Sequence, residues 1–198
     1  MSPTPSRTSR DAITAAARAI LEEDGLDAVS MQAVAHRVGV RPPSLYKHVA
    51  DRNALIRAVT DAVTADLGAA LRPPRAATDA RVDLRWIART YRAFVHANPV
   101  GYGLLFARLD PGRAPDPATL AALGEPIVEA IGRLVGPDDA LSAARTFVAF
   151  AHGFTSLELA GGFRLGGDVD AAYASGIELI MAGLSGRANP PSGSRRRG

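Results

Sequence analysis

Arg41, Ser44, Tyr46, Lys47, His48 and Arg52 fall within one short stretch of the chain, and together their chemistry suits a polyanion. Arginine and lysine pair with phosphate oxygens or with guanine edges, while hydroxyls donate to phosphate. Two readings of Tyr46 stay open: its ring packs against the next helix, or it packs and also reaches phosphate. No His or carboxylate stands at ligand spacing from His48, so a polar contact is expected there and a metal is not. His36 reads as solvated surface.

Positioning such groups requires a rigid platform, and the flanking residues supply one. Ser30 is placed to cap a short helix over 31–38, and Gly39 provides a left-handed turn. Arg41-Pro42-Pro43 then opens a second helix running to about residue 49. Prolines are tolerated there because first-turn amides have no intrahelical partner to lose. Val34, Ala35, Val38, Val40, Leu45 and Val49 face inward at helical spacing, with small Ala35 permitting a close crossing. This is the pattern of a helix-turn-helix, whose second helix enters the major groove. Short helical hairpins with polar faces also occur in ordinary bundles.

An earlier helix begins near Thr8, which is read as its cap with Asp11 completing a capping box. Its apolar stripe is Ile13, Ala17, Ile20 and Leu21, and Asp24-Gly25 ends it. A fourth helix follows Asp51 and buries Leu55, Ile56, Val59, Val63 and Leu67. Arg72-Pro73-Pro74-Arg75 is the clearest break. Beyond it, helices are expected at about 79–97, 99–108, 117–135, 138–161 and 168–184. No alternating β-branched run is long enough for a strand. The fold class is all-α: an N-terminal three-helix DNA-binding module over 9–52, then a larger helical bundle over 53–185. Residues 1–8 and 186–198 are expected to be disordered tails. The second closes on Arg195, Arg196 and Arg197, read as a solvated terminus or as a phosphate contact.

Of the 198 residues 47% are hydrophobic, ample for a core, and cysteine is absent, which removes disulfides and thiolate chemistry. The net charge is only +3, with Lys47 the sole lysine, so a nucleic-acid argument must come from where charges sit. No apolar run reaches transmembrane length and no signal peptide is visible, so a cytoplasmic protein is expected. Catalytic signatures are missing: there is no phosphate loop, no Gly-x-Ser-x-Gly and no His-Glu-x-x-His. Asp138-Asp139 reads as a helix cap after Pro137. His152 and Glu158 are six residues apart on one helix and so point to different faces. No enzyme, no cofactor and no metal are expected. A helical scaffold with the same fold but no DNA binding is the rival account, and it would have no need for the polar face.

Ser30-Met31, Ala35, Val38-Gly39-Val40, Ser44-Leu45-Tyr46, His48-Val49, Arg52 and Leu55 resemble the N-terminal domain of the TetR family of transcriptional regulators. The resemblance implies phosphate contacts from Tyr46 and His48, and from Arg52, which stands where the family usually has a lysine at a helix start. It gives Arg41, Pro42, Ser44 and Lys47 the variable base-reading or flanking positions, and Ser30 and Gln32 the backbone beside the groove. Pro42-Pro43 departs from the pattern by removing two amides, and Val49 replaces a frequent aromatic. Phe150 to Ala160 resembles a C-terminal domain of one subgroup with a Trp-x-His-Gly-like signature, phenylalanine standing for the tryptophan.

By the same resemblance the larger module senses a small-molecule effector of unidentified structure. Trp86, Tyr91, Phe94, Tyr102, Phe106, Phe150, His152, Phe154 and Glu158 are the candidate effector-binding residues, although most aromatics there must also be core. The last two long helices, about 138–161 and 168–184, are expected to pair two copies of the chain. Their small residues fit that role, and intramolecular packing accounts for them almost equally well. The expected partners are therefore double-stranded operator DNA, an effector and a second copy. Effector binding is expected to tilt the helix starting at Arg52 and so to relieve repression.

Overall fold

The computed structural model describes residues 9–75, 77–107 and 113–188, and among these the regular structure is helical throughout. The α-helices are α1 (Arg10–Asp24), α2 (Met31–Val38), α3 (Arg52–Ala70), α4 (Ala80–Ala97), α5 (Pro99–Phe106), α6 (Pro117–Val135), α7 (Pro137–Leu159) and α8 (Val169–Ala188). Short 3-10 segments cover Leu26–Ala28 and Pro42–Lys47.

Contacts divide the chain into two compact units, one holding 1–69 with 97–123 and the other 70–96 with 124–198. In the first, α1 starts at Ser9, not at Thr8: the Ser9 hydroxyl accepts from the Ala12 amide at 3.1 Å. Thr8 lies outside the described residues. The expected stripe Ile13, Ala17, Ile20 and Leu21 is fully buried, as are Leu55, Ile56, Val59, Val63 and Leu67 of α3. Asp51 caps α3, its Oδ1 accepting from the Ala54 amide at 2.8 Å.

Helix α5 belongs to this first unit through an unusual cap. Asn98 precedes it but makes no side-chain cap bond. The Glu22 carboxylate of α1 does that work, accepting from the Gly101 amide at 2.8 Å and the Val100 amide at 3.1 Å. A carboxylate at a helix N-terminus also meets the positive end of the helix dipole. Arg18 reinforces the seam by donating to Asn98 Oδ1 at 2.7 Å and pairing with Asp66.

In the second unit, Leu84, Ile87, Val95, Ile131, Phe147, Tyr173, Ile177 and Met181 form the core. Asp83 is buried there with its charge answered: it accepts from the Ala77 amide at 3.1 Å and from Arg133 Nη2 at 2.5 Å. Helices α7 and α8 cross at Gly176, where an added Cβ would stand 2.1 Å from the Phe150 ring. Asp138 and Asp139 sit in the first turn of α7, whose cap is Gly136 with no side-chain bond, so they face the dipole instead of capping. Helix α8 is capped by Asp168 and runs on to Ala188, past the expected end at 184. Of the tails expected at 1–8 and 186–198, residues 186–188 instead continue α8, and 1–8 and 189–198 lie outside the described residues.

Candidate nucleic-acid interface

The reading element is built from its turn outwards. Ser30 caps α2 by accepting from the Ala33 amide at 3.1 Å. Gly39 closes it at φ 74°, ψ 36°, and the Val40 amide returns to the Ala35 carbonyl at 2.9 Å. That left-handed conformation disfavours any residue with a Cβ, although the space around Gly39 is open. The chain then leaves Arg41 in extended geometry and enters Pro42–Lys47.

This second helix is tighter and shorter than the sequence predicts: it is 3-10, with Ser44 N–H donating to the Arg41 carbonyl and His48 N–H to Leu45, both i to i−3 bonds. Pro42 and Pro43 occupy its first two positions, where no intrahelical amide bond is lost. The hydrophobic anchors still hold, since Val34, Ala35, Leu45 and Val49 are buried. Val38 and Val40 are half-buried. With Leu45 fixed inward, Arg41, Tyr46, Lys47 and His48 are exposed and Ser44 and Pro42 half-exposed. Tyr46 keeps 56% of its surface in solvent. Gln32 is exposed and Ser30 half-exposed on α2.

Arg52 has a placement the sequence did not suggest. Its Nε donates to the Val29 carbonyl and its Nη2 to the Leu26 carbonyl, each at 2.7 Å. Arg52 therefore ties the start of α3 to the connection before α2. These carbonyls follow the end of α1, and only the folded path brings them within reach of residue 52.

The candidate effector residues are distributed over both units. Tyr102 and Phe106 sit on α5 in the first, their ring centroids 5.1 Å apart, with Tyr102 buried and Phe106 exposed. In the second, Phe150 and Phe154 join Tyr173 and Phe163 in one aromatic cluster, with Phe154 centred 4.6 Å from Phe163 and 5.2 Å from Tyr173. Tyr91 is buried, and Trp86 and Phe94 are half-buried. His152 approaches Ser156 at 3.5 Å, and burial lowers its pKa.

Within the second unit a cavity of about 490 Å³ opens beside α4, α8 and Glu158. Of the candidate residues, Glu158 lines it; the remaining walls come from residues the sequence reading had not singled out as ligands, chiefly Arg85, Arg89, Arg92, His96 and Tyr173. The Glu158 carboxylate accepts from Arg92 Nε at 2.8 Å and from Arg92 Nη2, and His96 Nε2 lies 3.0 Å away. The Arg92 hydrogen bonds, against opposing desolvation and with help from His96, hold its pKa down at about 2. The recurrence of Arg85, Arg89, Arg92 and His96 along α4 was the available sequence signal, since four- and three-residue steps share a helical face.

Among the described residues no group of three His, Asp or Glu is arranged to hold a metal ion, and no helix is long and apolar enough to cross a membrane. The fold and the exposed reading element define a helix-turn-helix DNA-binding protein with a second helical unit. Residues 13–59 match the family described as "Bacterial regulatory proteins, tetR family", and residues 84–180 match "Tetracyclin repressor-like, C-terminal domain". The chain is 32% identical over 197 residues to the class A tetracycline repressor protein of an Escherichia coli transposon, covering 87% of this chain and 88% of that one. It is 29% identical over 186 residues to an uncharacterised HTH-type transcriptional regulator of Mycobacterium tuberculosis, covering 92% and 84%. A solved structure of a protein of unknown function from a Rhodococcus species aligns with a TM-score of 0.77 at 27% identity, covering 93% of this chain and all of that one. The chain belongs to the TetR family of bacterial transcriptional regulators. It is a DNA-binding regulator and not an enzyme.

Proposed function

We propose that the protein is a homodimeric repressor that leaves its operator when a small molecule occupies the second unit. The observation that carries the reading is the exposed row Arg41, Ser44, Tyr46, Lys47 and His48, held outwards by buried Leu45 and the Gly39 turn. In this reading residues 9–52 bind DNA and 53–185 bind effector and partner. Arg41, Pro42, Ser44 and Lys47 meet base edges or flanking phosphate, Tyr46 and His48 meet phosphate, and Ser30 and Gln32 lie against the backbone beside the groove. Arg52 serves phosphate through the element it braces.

Support for the dimer comes from the outer faces of α7 and α8. Leu141, Leu157 and Leu179 are more than half exposed, and Ala149, Ala172, Ala182 and Gly183 beside them are exposed and small. A bundle of two such pairs would bury these residues and set two reading elements about 34 Å apart, one turn of B-DNA. The segment Phe150 to Ala160 supports placing the second unit in the Trp-x-His-Gly-like subgroup. Action on operator DNA supports a cytoplasmic location.

The test is selection of bound fragments from genomic DNA, followed by titration of the recovered site at several salt concentrations. Tyr46→Ala and Lys47→Gln should each weaken binding, and Lys47→Gln, which alone removes a cation, should also flatten the salt dependence by about one unit of slope. Unchanged affinity and slope in both variants would remove this element from the interface.

A further inference from the structure

The cavity beside α4 and α8 has an imbalance in its hydrogen-bonding groups. Three guanidinium groups, Arg85, Arg89 and Arg92, line it against three carboxylates, Glu158, Asp170 and Glu178. Formal charge therefore cancels, but the pairing does not. Both Glu178 oxygens accept from Arg85, at 2.5 Å and 2.9 Å. Both Glu158 oxygens are taken by Arg92, with His96 close to one of them, and Asp170 Oδ1 stands 2.6 Å from Arg92 Nη2. Arg89 sits one turn from Arg85 and from Arg92 on the same face of α4, exposed and, among the described residues, without an ion pair or hydrogen bond. A guanidinium offers five N–H donors and accepts nothing. Both glutamates are committed and Asp170 keeps one exposed oxygen, while a full set of donors stands at the mouth on Arg89.

The rest of the wall is apolar and roomy. Ala93 and Ala174 are exposed and leave space, and buried Ala88, Ile177 and Tyr173 form the floor beneath them. The Tyr173 hydroxyl is already spent on the Ala88 carbonyl at 2.9 Å, and its ring lies under Arg92 at 5.2 Å. The volume of about 490 Å³ is that of a pocket for a small organic molecule.

We infer that this cavity takes a small organic carboxylate, its oxygens on Arg89 and its apolar body over Tyr173, Ile177 and the three alanines. Cancelled charge in the wall suits one negative charge in the guest and disfavours two. A cation would have to share the one exposed oxygen of Asp170 or displace an arginine from its carboxylate, and a neutral polar guest would give up the charge-assisted bond. The inference names the effector class and so rests on the effector reading above.

Calorimetric titration of the full-length protein without DNA tests it, using octanoate and 2-naphthoate beside octanamide, 2-naphthamide, octylamine and 2-naphthylmethylamine. At least one acid should bind about tenfold or more tightly than its own amide and amine, as a charge-assisted bond implies. Arg89→Gln should abolish that preference, and Arg89→Lys should restore part of it. Because Arg89 is exposed and unpaired, both variants should keep the wild-type melting temperature and operator affinity. Acids that bind no better than amides, that fail to bind at millimolar concentration, or that bind R89Q unchanged would overturn the assignment. Release of operator DNA is scored separately: a carboxylate that binds through Arg89 without releasing DNA keeps the site and rejects the effector role.

Discussion

Arg52 and Glu158 show how a single charged side chain changes meaning once its partners are known. Arg52 holds two carbonyls of the connection between α1 and α2, and hydrogen bonds from a charged donor are worth about 1.5 to 3 kcal/mol each when partly buried. Arg52→Ala is expected to lower unfolding stability by about 1 to 3 kcal/mol in urea denaturation, apart from any effect on DNA. An unaltered midpoint would show that the brace contributes nothing. For Glu158 the folded pKa of about 2 lies below the ordinary value of 4.5, so between these values the unfolded chain binds more protons. Its contribution is complete above about pH 4.5 and is lost as pH falls towards 2. The melting temperatures of wild type and Glu158→Gln should therefore differ most near neutrality and converge in acid. A gap that stays constant from pH 6 to pH 3 would contradict the pairing.

Among the elements, α5 depends on a residue far away in sequence. Its first amides are satisfied by Glu22, and an added Cβ at Gly101 would lie 2.8 Å from that carboxylate and 3.1 Å from the Val63 side chain. Gly101→Ala must displace one or the other, so a loss of about 1 to 3 kcal/mol is expected. Glu22→Ala removes the same cap, and the double variant should lose clearly less than the sum of the singles. Additive losses in chemical denaturation would show that Glu22 and Gly101 act independently. The α1 cap illustrates a smaller effect: Thr8 and Ser9 offer the same hydroxyl chemistry, and a shift of one residue in the helix start decides which is used. Periodicity located α2, α4 and α6 closely, because their apolar stripes and flanking Gly or Pro agree. It made the recognition helix too long, because inward spacing at Leu45 and Val49 does not distinguish a short 3-10 segment from a continued α-helix.

For the molecule as a whole, the proposed function needs two reading elements, and hence a second copy. Leu179 is 71% exposed on α8 while its neighbours Ile177 and Met181 are buried, so a charge there should spare the core and strike only the outer face. Leu179→Glu is expected to shift the protein from dimer to monomer in sedimentation and to weaken operator binding at least tenfold, with helical content and melting curve shape preserved. A variant that remained dimeric would move the interface away from α8. The division by contacts, with 97–123 grouped beside the N-terminal helices, was beyond reach of the sequence, whose clearest break lies at Arg72 to Arg75. Prolines mark where a chain bends; they do not say which unit a later helix rejoins.

Read by itself, the sequence determined the helical class, the buried stripes of α1 and α3, the Ser30 and Gly39 boundaries of α2 and the polar row of the reading element. Each of these is local, set by spacing along a helix or by the φ that one glycine allows. Tertiary structure alone decided that Arg52 braces a loop, that Glu22 caps α5, and that Arg89 is left with unused donors while Arg85 and Arg92 are paired. Those outcomes depend on side chains dozens of residues apart meeting at hydrogen-bond distance, and a one-dimensional pattern carries no information about which of several equal charges will find its partner.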